Sequence, residues 1–333
     1  MHVLYVSNTE GVHDDRWISA MRTSGCTVTP LRVDPMDSAV LRTVEHLVSD
    51  LGIDLVVAGP LTTCTGTLAG VRIPLVGLSW GFDLHQMAGD ERAFASSWIT
   101  QLAGLIVDSE STRAIAEELG VQSHRIELIP WGVDLEEFYP DGPQANYPAL
   151  PSTARVVLSA RAHEPLYRVG EIVAAFERGR DLWGDDVYLV VINDGSLTPD
   201  LRNAAGVHTL FVGRVTEEDL AAWLRRSDVY VSASETDGSS VTLLQAMACG
   251  TRVLVSDIPG NREWIRDGVN GRLFPLGDIE ALQQALAEVL ASTEELGDTA
   301  EALDEVRARA DWSRNSSRLC SLLGRVSGLP PDE

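Results

Sequence analysis

Short, continuously apolar runs rich in β-branched residues recur along the chain, and stretches of helical periodicity separate them. "HVLYVS", "TVTPLRV", "DLVVAGP", "IPLVGLSW", "GLIVDSE" and "RIELIPWGVD" follow one another through residues 2–134, with helical patterns over "RWISAMRTSG", "AVLRTVEHLVSD" and "RAFASSWITQLAG". A strand that is apolar on both faces must be covered on both, and consecutive parallel strands need a crossover long enough to be a helix. The pattern therefore predicts a doubly wound α/β domain with a parallel sheet. A segment rich in Pro, Gly and Asn, "YPDGPQANYPALPST" at 139–153, interrupts it and predicts a domain boundary. The alternation then restarts with "ARVVLSAR", "DVYLVVIND", "VHTLFVGRV", "VYVSAS" and "RVLVSD", which predicts a second domain of the same class. The end of the chain is helical in pattern, through "DIEALQQALAEVLAS", "TAEALDEVRARA" and "WSRNSSRLCSLLGRVSG", and the final "LPPDE" is expected to be frayed.

A length of 333 residues accommodates two domains of ordinary size. The expected division is 1–145, 151–311 and a closing helix at 312–328. All 26 basic residues are Arg, against 49 acidic ones, for a formal charge of -23. Without a local basic cluster, that balance argues against nucleic acid and anionic lipid and in favour of a small soluble partner. No apolar run approaches the roughly 20 residues needed to span a bilayer, so no stable membrane insertion is expected. "MHVLYVSN" reads as a strand rather than a signal segment, and Cys26, Cys64, Cys249 and Cys320 are too widely spaced for a metal knuckle. A reduced, cytoplasmic setting is the expectation.

Open parallel sheets bind ligands outside the carboxyl ends of their strands, so chemistry is sought in the loops that follow strands. In the second half, "SARAHEPLYR" carries Arg161, His163 and Arg168; "INDGS" and "GRVTEED" bring Asp194, Arg214 and Val215; and "SETDGSS" carries Glu235, Asp237, Gly238, Ser239 and Ser240. The Gly-Ser-Ser turn leads straight into the helix "VTLLQAMA", whose N-terminus is suited to an anion; a Ser there can equally cap the helix. Gln245 lies in that helix with apolar neighbours on every side, so its amide needs partners from protein, water or ligand. In the first half, Gly11 opens a helix that carries His13 and Asp14, and Asp83 follows "LSWG". No His and carboxylate cluster has metal-ligand spacing.

"SETDGSSVTLLQAMACGTRVLVSDIPGNREWIRDGVNGRLFPLGDIEAL" closely resembles the donor-binding segment of the family 4 retaining glycosyltransferases (glycosyl transferases group 1), with support from "VDSESTRAIAEELGV", "IELIPWGVDLEEFYP" and "FVGRVTEEDLAAWLRRSDVYVSAS". The likeness covers roughly residues 105–320, and the first hundred only in general pattern. It implies a GT-B fold of two Rossmann-like domains facing an interdomain cleft, with the closing helix at 312–328 crossing back to the first domain, and metal-independent transfer of a sugar from a UDP- or GDP-type nucleotide-diphosphate sugar to a small soluble or glycan acceptor, with retention of configuration and no cofactor.

Family members carry two Glu residues separated by seven others. Counting back from "AMACG" places Gln245 at the second position and Asp237 at the first, with Glu235 out of register as an exposed charge at a strand end. The resemblance gives Asp237 to the donor sugar, Gln245 to the ribose, and Arg161 with Arg168 to the diphosphate, Arg168 standing in for the family's Lys. It places Gly11, Asp194, Arg214, Val215, Gly238, Ser239 and Ser240 around the nucleotide, with His13, Asp14 and Asp83 toward the acceptor. Trp80 occupies a position where many relatives have His. The substitutions at 237 and 245 keep open a second reading, a degenerate homologue that partners an active transferase; a sugar-nucleotide epimerase or hydrolase of similar shape is a third.

Overall fold

The computed structural model describes residues 1–291 and 299–328; the closing residues expected to be frayed, 329–333, lie outside the described residues. The chain divides into two compact units, Met1–Trp131 with Ser313–Glu333, and Gly132–Trp312. Each is built on one six-stranded sheet.

The first sheet consists of β1 (His2–Ser7), β2 (Thr27–Arg32), β3 (Leu55–Ala58), β4 (Leu75–Leu78), β5 (Gly104–Val107) and β6 (Ile126–Leu128), in the order β2-β1-β3-β4-β5-β6. The second consists of β7 (Arg155–Ser159), β8 (Val187–Ile192), β9 (Thr209–Gly213), β10 (Val229–Ser232), β11 (Arg252–Ser256) and β12 (Arg272–Phe274), in the order β12-β11-β10-β7-β8-β9. The paired strands run parallel, as their two-sided apolar composition requires. Along β7 the side chains alternate between two cores: Val156 and Leu158 pack on one face with Leu243, Leu244 and Met247, while Val157 packs on the other with Ile172, Phe176 and Leu286.

The strand orders fix where ligands can reach. The first sheet reverses direction between β1 and β3, and the second between β7 and β10. At such a reversal the following helices leave on opposite faces and the loops above the two strands part, opening a crevice. The loops singled out in the sequence around Gly11, Arg161 and Asp237 follow β1, β7 and β10.

The turn-rich segment at 139–153 does not mark the break between units, which falls earlier, between Trp131 and Gly132. Its Leu150 and the preceding Val133 and Phe138 join the core of the second unit. Arg225 holds it there, donating to the Pro143 carbonyl at 2.7 Å and the Glu137 carbonyl at 3.0 Å, and the Ala145 N–H donates to Ala222 at 3.0 Å. Pro and Gly signal the absence of regular structure, which is compatible with close packing.

The final helix, Trp312–Ser327, packs on the first sheet. Asn315 donates to the Pro130 carbonyl at 3.1 Å, Arg325 pairs with Glu127 at 2.7 Å, and Leu322 lies over Gly104, where a Cβ would be 3.1 Å from its side chain. Leu319, Leu322 and Leu323 are all buried. Leu322→Ala is expected to destabilise the first unit by about 2–5 kcal/mol, the usual range for a truncated core Leu. Urea unfolding followed by tryptophan fluorescence measures it; an unchanged midpoint would mean that the helix does not pack there.

Candidate functional site

Arg161 ties together the two loops that leave β7 and β10. Its Nη1 donates to Ser240 Oγ at 2.8 Å and its Nη2 to Asp237 Oδ1 at 2.9 Å, while the guanidinium lies 4.2 Å from the centre of the Tyr167 ring. The pair is secluded, with side chains 10% and 15% exposed. Burial works against the Arg161 charge, but Asp237 together with Tyr167 and Tyr230 outweighs it, and the pKa is raised. Burial also pushes the nearby Tyr230 hydroxyl up to about 12. Asp237 has one oxygen to spare: Oδ2 is buried and accepts no hydrogen bond.

Ser240 is the N-cap residue of helix Val241–Ala248, but its side chain does not cap the helix. The hydroxyl is engaged with Arg161 instead, so the capping reading does not hold for Ser240. Gly238, Ser239 and Ser240 are buried at this helix start, and Gln245, one helical turn further in, is 4% exposed. The helix Pro259–Arg262 supports the turn from beneath, with Gly260 so close that a Cβ there would overlap the Asp237 and Gly238 carbonyl oxygens.

Arg168 is brought to the same region in an unusual backbone state, left-handed at φ 47. That conformation costs a non-glycine residue about 1–2 kcal/mol. Its guanidinium is held by Glu171 at 2.7 Å and by Glu235 at 3.0 Å, and the hydrogen bonds it donates to both acids raise its pKa. Glu235 is therefore exposed, as its strand-end position suggests, but it is not an idle charge. The i,i+3 spacing of Arg168 and Glu171 was a readable signal of that ion pair; the contact with Glu235, 67 residues away, was not.

Asp194 and Arg214 pair with each other at 2.7 Å on the loops after β8 and β9, with side chains 46% and 77% exposed. Val215 adjoins them and packs against the core. His163 is fully buried, bonded through Nδ1 to Thr198 Oγ1 at 2.8 Å, and burial lowers its pKa. Its carbonyl lies where a Cβ on Gly195 would approach to 2.6 Å. His163 thus joins the loops after β7 and β8 as a structural part.

In the first unit the candidates separate. Asp14 is 4% exposed, with Oδ1 accepting from Tyr5 at 3.0 Å and Oδ2 from Thr9 at 2.7 Å. Asp83 is 3% exposed and accepts from Ser79 Oγ at 2.7 Å, the Leu61 N–H at 2.7 Å and the Trp80 N–H at 3.2 Å. Both carboxylates are spent on holding loops, so the expectation that they meet an acceptor is not supported by their geometry. His13 remains exposed and lies against Trp131 and Trp80, with ring centres 4.6 Å and 5.8 Å away. Gly11 caps that helix in extended conformation, and a Cβ there would meet nothing within 4 Å. Gly11 and Asp14 also line a cavity of about 510 Å³ with Arg22 and Arg32. Among the described residues, no group of three or more His, Cys, Asp or Glu side chains is placed to hold a metal ion, and no helix is long and apolar enough to cross a membrane.

Residues 153–292 match the family described as Glycosyl transferases group 1. The phosphatidyl-myo-inositol mannosyltransferase of Mycobacterium leprae (strain TN) is 33% identical over 235 residues, which cover 69% of this chain and 61% of the relative. A D-inositol 3-phosphate glycosyltransferase of Xylanimonas cellulosilytica is 27% identical over 301 residues, covering 80% and 70% of the two chains. The chain spans between half and two thirds of the length of the mannosyltransferases it matches. Among solved structures, Anabaena HepE in complex with UDP and glucose superposes with a TM-score of 0.78 at 14% identity, covering 98% of this chain and 100% of that one. Sucrose-phosphate synthase of Thermosynechococcus elongatus does so at 0.78 and 16%, covering 98% and 99%. At such low identity these likenesses show the fold, which is GT-B.

Burial raises the Asp83 pKa against the hydrogen bonds that lower it. The folded state therefore holds the Asp83 proton more tightly than the unfolded chain does, and this contributes stability that is fully present below the ordinary value of 3.8 and is lost as pH rises through the folded value. Asp83→Asn removes this contribution. The stability difference between wild type and variant is expected to shift against the wild type across that window and to level off above it, as measured by urea unfolding at a series of pH values; a constant difference would contradict the assignment.

Proposed function

We propose that this chain, which belongs through residues 153–292 to the glycosyl transferases group 1 family, is a glycosyltransferase. It moves a sugar from a nucleotide-diphosphate sugar to a small soluble or glycan acceptor, with retention and without a metal. The observation that carries this reading is Arg161, which spans Ser240 at a helix start and Asp237, whose second oxygen is buried and unpartnered. Departure of a nucleoside diphosphate needs its developing charge met by fixed donors. Arg161, Arg168 and the N-terminus of helix Val241–Ala248 supply them within the second unit.

Asp237 Oδ2 is suited to accept a hydrogen bond from a hydroxyl of the donor sugar, and its charge favours positive character developing at the anomeric carbon. Gln245 can accept from one ribose hydroxyl and donate to the other. Asp194, Arg214 and Val215 flank the nucleotide, and the exposed His13 is the candidate to meet an acceptor. Retention follows the family resemblance; the departing phosphate can take the proton of the incoming hydroxyl. UDP in the HepE structure supports a nucleotide donor, and the inositol named in two relatives makes a polyol the first acceptor class to try.

The Asp and Gln at 237 and 245 favour a second reading, a degenerate partner of an active transferase. Kinetics with an identified donor separate the two. A charged hydrogen bond is worth about 1.5–3 kcal/mol, so Asp237→Asn is expected to lower kcat/KM on the order of 10- to 100-fold, measured well below a melting temperature that also falls because Arg161 loses its counter-charge. Gln245→Glu is expected to be tolerated or to tighten nucleotide binding. A wild type that binds nucleotide but never turns over, across a panel of UDP- and GDP-sugars with polyol and glycan acceptors, would favour the degenerate reading. Turnover is also expected to persist in EDTA; complete loss that a divalent ion restores would reject the arginine and helix account of the leaving group.

A further inference from the structure

Arg168 is a single cation between two carboxylates, and the two hold it differently. Its Nη1 donates to Glu171 Oε1 at 2.7 Å, one helical turn along its own helix, where the acid is 18% exposed. Nε and Nη2 both donate to one oxygen of Glu235, Oε2, at 3.1 Å and 3.0 Å, and that acid is 52% exposed. The Nε and Nη2 edge is the fork whose spacing matches two oxygens of a phosphate. Glu235 comes from another loop and reaches the fork because its backbone N–H is fixed to the Leu166 carbonyl at 2.9 Å. An internal carboxylate therefore sits where an external anion would bind, while Glu171 keeps the other side of the guanidinium anchored.

We propose that Glu235 is a placeholder on the anion fork of Arg168, displaced when a nucleoside diphosphate binds, so that it lowers the affinity of any anion that must take the fork. The inference rests on the donor-site reading above. The loss of the internal ion pair costs the same for every ligand that takes the fork. A diphosphate also reaches Arg161 and the helix start, and replaces the carboxylate. Glu235 acts through Arg168 and touches no reacting atom, so it is a positioning residue.

The test is calorimetric titration of wild type, Glu235→Gln, Glu235→Ala and Glu171→Gln with uridine and guanosine mono- and diphosphates. An exposed ion pair contributes at most about 1 kcal/mol, so both Glu235 variants are expected to bind the preferred diphosphate about two- to fivefold more tightly. The monophosphate is expected to gain by the same factor if it takes the fork and not to gain if it binds elsewhere, so a larger gain for the monophosphate than for the diphosphate would contradict displacement. Glu171→Gln is expected to weaken both ligands. In steady state, the Glu235 variants should lower the donor KM with kcat little changed. Unchanged or weaker binding by both Glu235 variants, with tight diphosphate binding by wild type, overturns the placeholder and leaves the transferase reading standing. A wild type that binds none of the four nucleotides overturns both.

Discussion

A buried guanidinium is tolerated only when its charge is met, because the desolvation cost is several kcal/mol per ion after relaxation. Arg161 meets that condition through Asp237, Ser240 and the ring face of Tyr167, and in doing so it joins the loops above β7 and β10. Much of the second unit's geometry follows from this link. Asp237 is drawn in with one oxygen unsatisfied, Ser240 is diverted from capping, and the glycine turn is pressed against Gly260. These two loops meet because β7 and β10 are neighbours where the strand order reverses. Topology brings the segments together and the ion pair fixes their register.

Several parts of this arrangement were legible in the sequence. Continuous apolar strands with helical crossovers can form few structures other than covered parallel sheets, and β1 to β11 appear where those runs occur. The distance from "AMACG" back to Asp237 stays within one loop and one helix, so counting selected Asp237 over Glu235 for the first acidic position, but its ion pair with Arg161 had no mark in the sequence. The final helix was legible by its apolar stripe, since Leu319, Leu322 and Leu323 require a cover.

What could not be read depends on contacts far apart in the chain. Asp83 is engaged by the Leu61 N–H, 22 residues away, and Asp14 by Tyr5, whose hydroxyl has no sequence mark to show that it points inward. A carboxylate in a loop after a strand looks the same in sequence whether it caps backbone or meets a ligand. The same ambiguity misplaced the boundary: the Pro-rich stretch at 139–153 reads as a linker, yet Arg225 fastens it along the second unit. Composition reports secondary structure better than it reports packing.

Charge gives the site its remaining constraint. A chain with formal charge -23 should repel a diphosphate, but at physiological ionic strength screening confines each charge to about 8 Å, so the local balance decides. That balance is poor: two arginines, Arg161 and Arg168, face three carboxylates, Asp237, Glu171 and Glu235. Attraction for the proposed diphosphate would therefore come from donors that carry no compensating acid, and the helix N-terminus above Gln245 is such a donor because its dipole is built from peptide groups. Directed hydrogen bonds must do the rest, since a long-range field of favourable sign is lacking. Such a site favours ligands that can satisfy two arginine forks and a helix start together, and discriminates by the number and geometry of anionic oxygens more than by net charge.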